Sequence, residues 1–89
     1  MKPIVYYASW CPDTAPFLAE LEALGVEYEA LDMVNDRLNF KAFLKLRDTH
    51  PAFDDAKQKG YIGIPALVLE SGEVILDKDE LKKLLNKIK

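Results

Sequence analysis

One cysteine, one histidine and one tryptophan stand among the 89 residues of the chain. A lone cysteine excludes a disulfide within the chain, so the fold has to rest on its core and not on covalent staples. It also suits a reducing compartment, and a cytoplasmic setting is expected. With one cysteine and one histidine, the ligand set of a structural zinc site is missing, and no metal is expected. No apolar run approaches the about 18 residues of a membrane-spanning helix. Met1-Lys2-Pro3 leads into an apolar stretch too short for a secretory leader. Lys78-Asp79-Glu80-Leu81 spells a retention signal but is internal in this sequence, where it is not read as one. Excess charge is small as well. The formal net charge is −3, which gives no reason to expect a nucleic acid or an anionic membrane as partner.

What is present describes an ordered domain. Hydrophobic residues make up 49% and charged residues 30%, a balance that excludes a disordered chain. The length supports one domain over residues 1–89. There is no internal repeat, low-complexity stretch or linker. Pro3 to Tyr7 is β-branched and aromatic and reads as a buried strand. Phe17, Leu18, Leu21 and Leu24 recur at helical spacing, and Gly25 stops that helix. Its start is open, with Cys11, Asp13 or Thr14 as the cap. Val26 to Met33 reads as a second strand with Val26, Tyr28 and Ala30 on one face, and the βαβ spacing makes it parallel to the first. Asn35 or Asp36 caps a second helix that turns Phe40, Phe43, Leu44 and Leu46 inward. Helical turns are expected in Phe53 to Lys59. Ala66 to Glu70 and Glu73 to Leu76 form a hairpin around Ser71-Gly72. Asp77 or Asp79 then caps a last helix whose stripe is Leu81, Leu84, Leu85 and Ile88.

Cys11 falls between a strand end and a helix start. The thiolate is the nucleophilic form of cysteine, and the free N–H groups at a helix start favour it. Thr14 sits one turn on and offers a hydroxyl donor to the sulfur. Asp13 works the other way, since a carboxylate disfavours a second negative charge nearby. Position alone leaves two readings, a reactive thiol or a small buried hydrophobe. Asp13 and Thr14 read equally as helix caps, and Trp10 reads equally as a packing aromatic or a substrate platform. His50 reads as a solvated loop residue. Arg47, Lys57 and Lys59 are cations that either meet an anionic ligand or belong to a solvated face.

Trp10-Cys11-Pro12 after a strand resembles the active-site segment of glutaredoxins, and Gly63-Ile64-Pro65 before the third strand is similar to the cis-proline loop of the thioredoxin superfamily. The likeness covers the whole chain, and the stretches Leu46 to Asp54 and Gly60 to Leu69 look like bacterial glutaredoxin-related proteins. The resemblance implies an α/β thioredoxin fold of glutaredoxin-like βαβαββα order, with a central four-stranded mixed sheet flanked by helices. It implies thiol–disulfide exchange through Cys11 and glutathione as co-substrate. Thr14 would stabilise the thiolate, and Trp10, Pro12, Ile64, Pro65 and Asp79 would contact the substrate. The implied partners are glutathione and glutathionylated or disulfide-containing substrates, and a monomer is expected.

The departures from that pattern are specific. Thr14 stands where a dithiol glutaredoxin has its resolving cysteine, so the expected chemistry is monothiol. Ala8 stands where glutaredoxins often carry a lysine. Leu76-Asp77-Lys78-Asp79 falls where a Gly-Gly-Cys-Asp segment holds glutathione, and only Asp79 matches. Two other readings stand beside exchange. One is a non-catalytic binding module on the same fold. The other is an iron–sulfur cluster carrier, against which Ala8 and Pro12 count.

Overall fold

The computed structural model describes residues 2–77 together with Glu80, Leu81 and Lys83. Among the described residues the elements run β1 (Ile4–Tyr7), α1 (Thr14–Ala23), β2 (Glu29–Asp32), α2 (Arg37–Thr49), a 3-10 turn (Pro51–Phe53), α3 (Asp54–Lys59), β3 (Ala66–Val68) and β4 (Val74–Ile75). The sheet order is β2-β1-β3-β4. β2 lies parallel to β1, with Val5 opposite Ala30, and β3 lies antiparallel to both β1 and β4.

Local chemistry fixes the boundaries. Gly25 has φ 72° after α1, and the Gly25 and Val26 N–H groups donate to the Glu22 and Leu21 carbonyls at 3.1 and 3.0 Å. Those two bonds close the last turn, and a residue with a Cβ resists that left-handed conformation. Asp36 caps α2 by accepting from the Leu38 and Asn39 N–H groups at 2.9 and 3.2 Å. Just before it, the Asp32 carboxylate accepts from Asn35 Nδ2 at 2.6 Å and from the Val34 and Asn35 N–H groups at 2.8 and 3.3 Å. The Asn35 side chain, then the Val34 N–H, holds the Asp32 carboxyl below its ordinary value.

Alternation along the strands sends neighbouring residues to opposite faces of the sheet. Val5, Leu67 and Ile75 join Phe17, Leu21, Leu69 and Leu81 in one cluster. Ala66 and Val74 join Met33, Phe43 and Phe53 in the other. Two expectations fail here. Phe40 and Leu44 are 43% and 38% exposed. The buried side of α2 carries Phe43 and Leu46, and Asn39 Nδ2, on that side, donates to the Asp32 carbonyl at 3.1 Å, which fixes the helix rotation. The second strand begins only at Glu29. Val26 and Tyr28 pack on the first cluster from the connection, while Ala30, on an edge strand, stays exposed. Glu80 donates its N–H to the Asp77 carbonyl at 3.0 Å, and Glu80, Leu81 and Lys83 are helical with Leu81 buried. Asp79, Leu84, Leu85 and Ile88 lie outside the described residues.

Candidate active site

The register of the central strands explains why two distant segments meet. β1 and β3 run antiparallel with Tyr6 opposite Ala66. Whatever follows β1 therefore emerges at the same end of the sheet as whatever precedes β3. Cys11 follows β1 and Ile64 precedes β3, and the Cys11 thiol lies 3.9 Å from the Ile64 carbonyl, to which it donates. Cys11 is half-buried.

The chain enters α1 through two turns. The Cys11 N–H donates to the Ala8 carbonyl at 3.0 Å, and the Thr14 N–H donates to the Cys11 carbonyl at 3.1 Å. The helix proper begins at Thr14, with Asp13 at the cap position making no side-chain capping bond. The Thr14 hydroxyl donates to the Ala8 carbonyl at 2.9 Å. Its one proton thus goes to the backbone and not to the sulfur, contrary to the sequence-based expectation. Thr14 is buried, and a buried hydroxyl needs a partner. The Ala8 carbonyl, with two lone pairs, is the acceptor it reaches. Thr14 therefore ties the start of α1 to the end of β1 across the Cys11 turn.

The other side of the site is the run from Gly60 to Pro65. Gly60 closes α3 at φ 80°, and the Ile64–Pro65 peptide bond is cis. Gly63 has φ 94°, and a Cβ there would stand 2.7 Å from Phe53 Cδ1. The backbone approaches this ring as only glycine allows. Arg47 braces the run from behind, Nε donating to the Ile62 carbonyl at 2.8 Å and Nη2 to the Tyr61 carbonyl at 2.9 Å. Lys57 pairs with Asp54 at 3.6 Å and Lys59 with Asp55 at 3.3 Å. His50 lies between α2 and the 3-10 turn, half-buried and hydrogen-bonded at both ring nitrogens. Its Nδ1 accepts from the Ala52 N–H at 3.0 Å, so its Nε2 carries the proton and donates to the Gly72 carbonyl at 3.0 Å.

Between these segments opens a cleft of about 780 Å³. Of the residues expected to act, Trp10, Cys11 and Ile64 line it. Pro12 is exposed beside it, while Pro65 and Thr14 are buried behind it. Asp79 lies outside the described residues. Sequence reasoning missed Tyr61, which is 64% exposed on the wall opposite the 61%-exposed Trp10. Trp10 opens the first motif and Tyr61 stands shortly before the second, a signal present in the sequence. It also missed that Asp13, Asp55, Asp77 and Glu80 are among the residues that line the cleft. Among the described residues, no group of three or more His, Cys, Asp or Glu is placed to hold a metal ion, and no helix is long and apolar enough to cross a membrane.

The fold is shared with known structures. A glutaredoxin from Methanosarcina mazei matches with a TM-score of 0.67 at 18% identity, over 94% of this chain and 77% of that one. A glutathione transferase homolog from Sulfitobacter, solved with bound glutathione, matches with a TM-score of 0.52 at 18% identity, over 98% of this chain and 36% of that one. This chain therefore spans about a third of the transferase homolog. These likenesses establish the class, a glutaredoxin-type thioredoxin fold with a mixed four-stranded sheet among the described residues. No family model matches. An uncharacterized protein of Haemophilus influenzae is 52% identical over 81 residues, which cover 91% of this chain and 94% of that protein, and the chain belongs to the same family as that protein.

Proposed function

We propose that the protein is a monothiol exchange protein of the cytoplasm, working through Cys11 on glutathionylated or otherwise disulfide-bonded substrates. The observation that carries this reading is the half-buried Cys11 thiol, set against the Ile64 carbonyl in the wall of an open cleft. The Cys11 thiolate attacks the glutathione sulfur of a mixed disulfide. A bond forms between that sulfur and Cys11, the substrate S–S bond breaks, and the substrate leaves as a thiolate that takes a proton from water. A free glutathione thiolate then attacks the glutathione sulfur on Cys11. Oxidised glutathione departs and Cys11 returns as thiolate. The run before Pro65 receives the extended chain of the substrate beside Ile64, as an added strand does. Thr14 acts on the sulfur through the backbone turn that it holds.

Treatment of the native protein with oxidised glutathione tests this. One glutathionyl group on Cys11 is expected by intact mass, removed again by excess reduced glutathione and absent from Cys11→Ser. Exposure of Trp10 and Tyr61 at the cleft also suits a binding module that never uses its thiol. A Cys11 that reacts with alkylating reagents only after denaturation would establish that second reading and overturn the first.

A further inference from the structure

The run from Gly60 to Pro65 faces Cys11 across the cleft and is anchored at both ends. At its start the Tyr61 N–H donates to the Ala56 carbonyl at 2.7 Å. Near its end Gly63 rests on the Phe53 ring, and the Ile64 carbonyl lies 3.9 Å from the Cys11 thiol. Between these anchors, residues 61–64 belong to no helix or strand, and the Tyr61 and Ile62 side chains are exposed. Arg47, half-buried on α2, holds this stretch, Nε donating to the Ile62 carbonyl at 2.8 Å and Nη2 to the Tyr61 carbonyl at 2.9 Å. A guanidinium is planar and rigid, so two bonds to successive carbonyls fix two successive peptide planes. A charged donor also makes each bond stronger than a neutral one. Arg47 is not among the residues that line the cleft. Its reach to the chemistry runs through the backbone it holds.

We propose that Arg47 is a positioning residue for the exchange site. By fixing the Tyr61 and Ile62 carbonyls it sets the Ile64 backbone edge at which an extended substrate pairs, and it does so whatever the charge of that substrate. The proposal rests on Cys11 exchange for its reaction. It names a substrate class: disulfides carried on a peptide backbone, neutral or charged, in preference to small disulfides without one. An edge that has lost its aim weakens every bond the substrate makes there, because hydrogen bonds fall off steeply with angle.

The test follows the first step alone, by intact mass. The Cys11 thiolate attacks one sulfur of an added disulfide, the S–S bond breaks, and the other half leaves as a thiolate that takes a proton from water. Three disulfides are compared. Oxidised glutathione has peptide bonds and carboxylates, the disulfide of N-acetyl-Ala-Cys-Ala amide has the backbone without the charge, and hydroxyethyl disulfide has neither. Each rate in a variant is divided by the native rate with the same disulfide, so that intrinsic reactivity cancels. Arg47→Met is expected to slow both peptide disulfides by about tenfold, the loss of roughly one well-aligned hydrogen bond. Hydroxyethyl disulfide, which reads the thiol alone, should slow by clearly less. Arg47→Lys keeps the charge without the fork and should follow Arg47→Met with both peptide disulfides. Lys45→Met, on the flank of α2 toward Ile4 and Val68, should leave all three rates unchanged. A second measurement does not use the thiol. In Cys11→Ser, the fluorescence of Trp10, the sole tryptophan, is titrated with N-acetyl-Ala-Ser-Ala amide, and adding Arg47→Met should weaken the titration by a similar factor. A loss confined to oxidised glutathione and restored in Arg47→Lys makes Arg47 a direct anion contact and overturns the proposal. An equal loss with all three disulfides, tracking a loss of stability in urea, makes it a residue of the fold alone and overturns the proposal too. Unchanged rates with both peptide disulfides also overturn it, and leave Cys11 exchange standing. If the native protein reacts with no disulfide while Arg47→Met still weakens the titration, exchange fails and the positioning stands.

Discussion

On one face of the sheet, Val5, Phe17, Leu21, Leu67 and Leu81 pack as a mostly aliphatic cluster against α1. On the other, Phe43 meets Phe53 edge to face at 5.7 Å, His50 meets Phe53 at 6.3 Å, and Arg47 reaches out to two carbonyls. The first face supports the segment that carries the nucleophile, with the single Thr14 hydroxyl bond as its polar fastening. The second supports the backbone that would receive a substrate, and it does so with rings, a guanidinium and an imidazole. Apolar packing is non-directional and tolerates small shifts, whereas carbonyl positions are set to fractions of an ångström by hydrogen bonds. The division of labour follows, since a side chain needs support and a backbone needs aim.

The largest expected effects test that division at its centre. Leu21→Ala and Phe53→Ala each remove a fully buried side chain and should cost about 2–5 and 3–5 kcal/mol respectively by chemical denaturation. They should part in the reaction of Cys11. Leu21→Ala should leave the alkylation rate in the folded state near that of the native protein, and Phe53→Ala should change it, because Gly63 rests on that ring. Equal effects on Cys11 would dissolve the distinction between the faces. Gly63→Ala should come next, at about 1–3 kcal/mol, because the new Cβ meets Phe53 and the residue is held at positive φ.

Much of this architecture is legible in the sequence because it is local. The PIVYY run, the leucine spacing of α1, Gly25, and the Ser71-Gly72 turn each announce themselves within a few residues. The meeting of Cys11 with Ile64 was legible by a different route, since two motifs of one fold class occur in order. What escaped is long-range. Arg47 and His50 act on partners 14 to 22 residues away, and no periodicity records that. Thr14 was misread for a related reason. Sequence puts its hydroxyl one turn from the sulfur, but only the packed structure shows that Ala8 claims its proton. That Asp13 lines the same cleft as Asp77 and Glu80 was hidden because it lies far from those two in the sequence.

Smaller effects sharpen the comparison. Thr14→Val keeps the shape and removes the hydroxyl bond, and should cost about 1 kcal/mol. Since that bond is the polar fastening of the first face, the cost should appear with a changed alkylation rate at Cys11; an unchanged rate would mean the turn holds itself. The smallest effect belongs to Asp32, which stands outside both clusters. Its carboxyl is held low by Asn35 and Val34, so its contribution is present above the ordinary carboxylate range and is lost as pH falls through its lowered value. Asp32→Asn should therefore lower stability slightly at neutral pH and flatten the acid limb below about pH 4, where the native protein has itself lost that contribution. A stability loss equal at both pH values would show that the carboxylate acts by shape alone.

The hairpin tip at Ser71-Gly72 resembles the kind of surface loop in which chain length drifts freely between relatives. Here it is tethered. The Gly72 carbonyl is bound by the same imidazole whose other nitrogen receives the Ala52 N–H, so the tip and the start of the 3-10 turn share one fastener. A residue inserted at the tip would have to break that shared link or carry it along. The loop that looks most open to lengthening is thus the one whose length the neighbouring wall of the cleft has fixed.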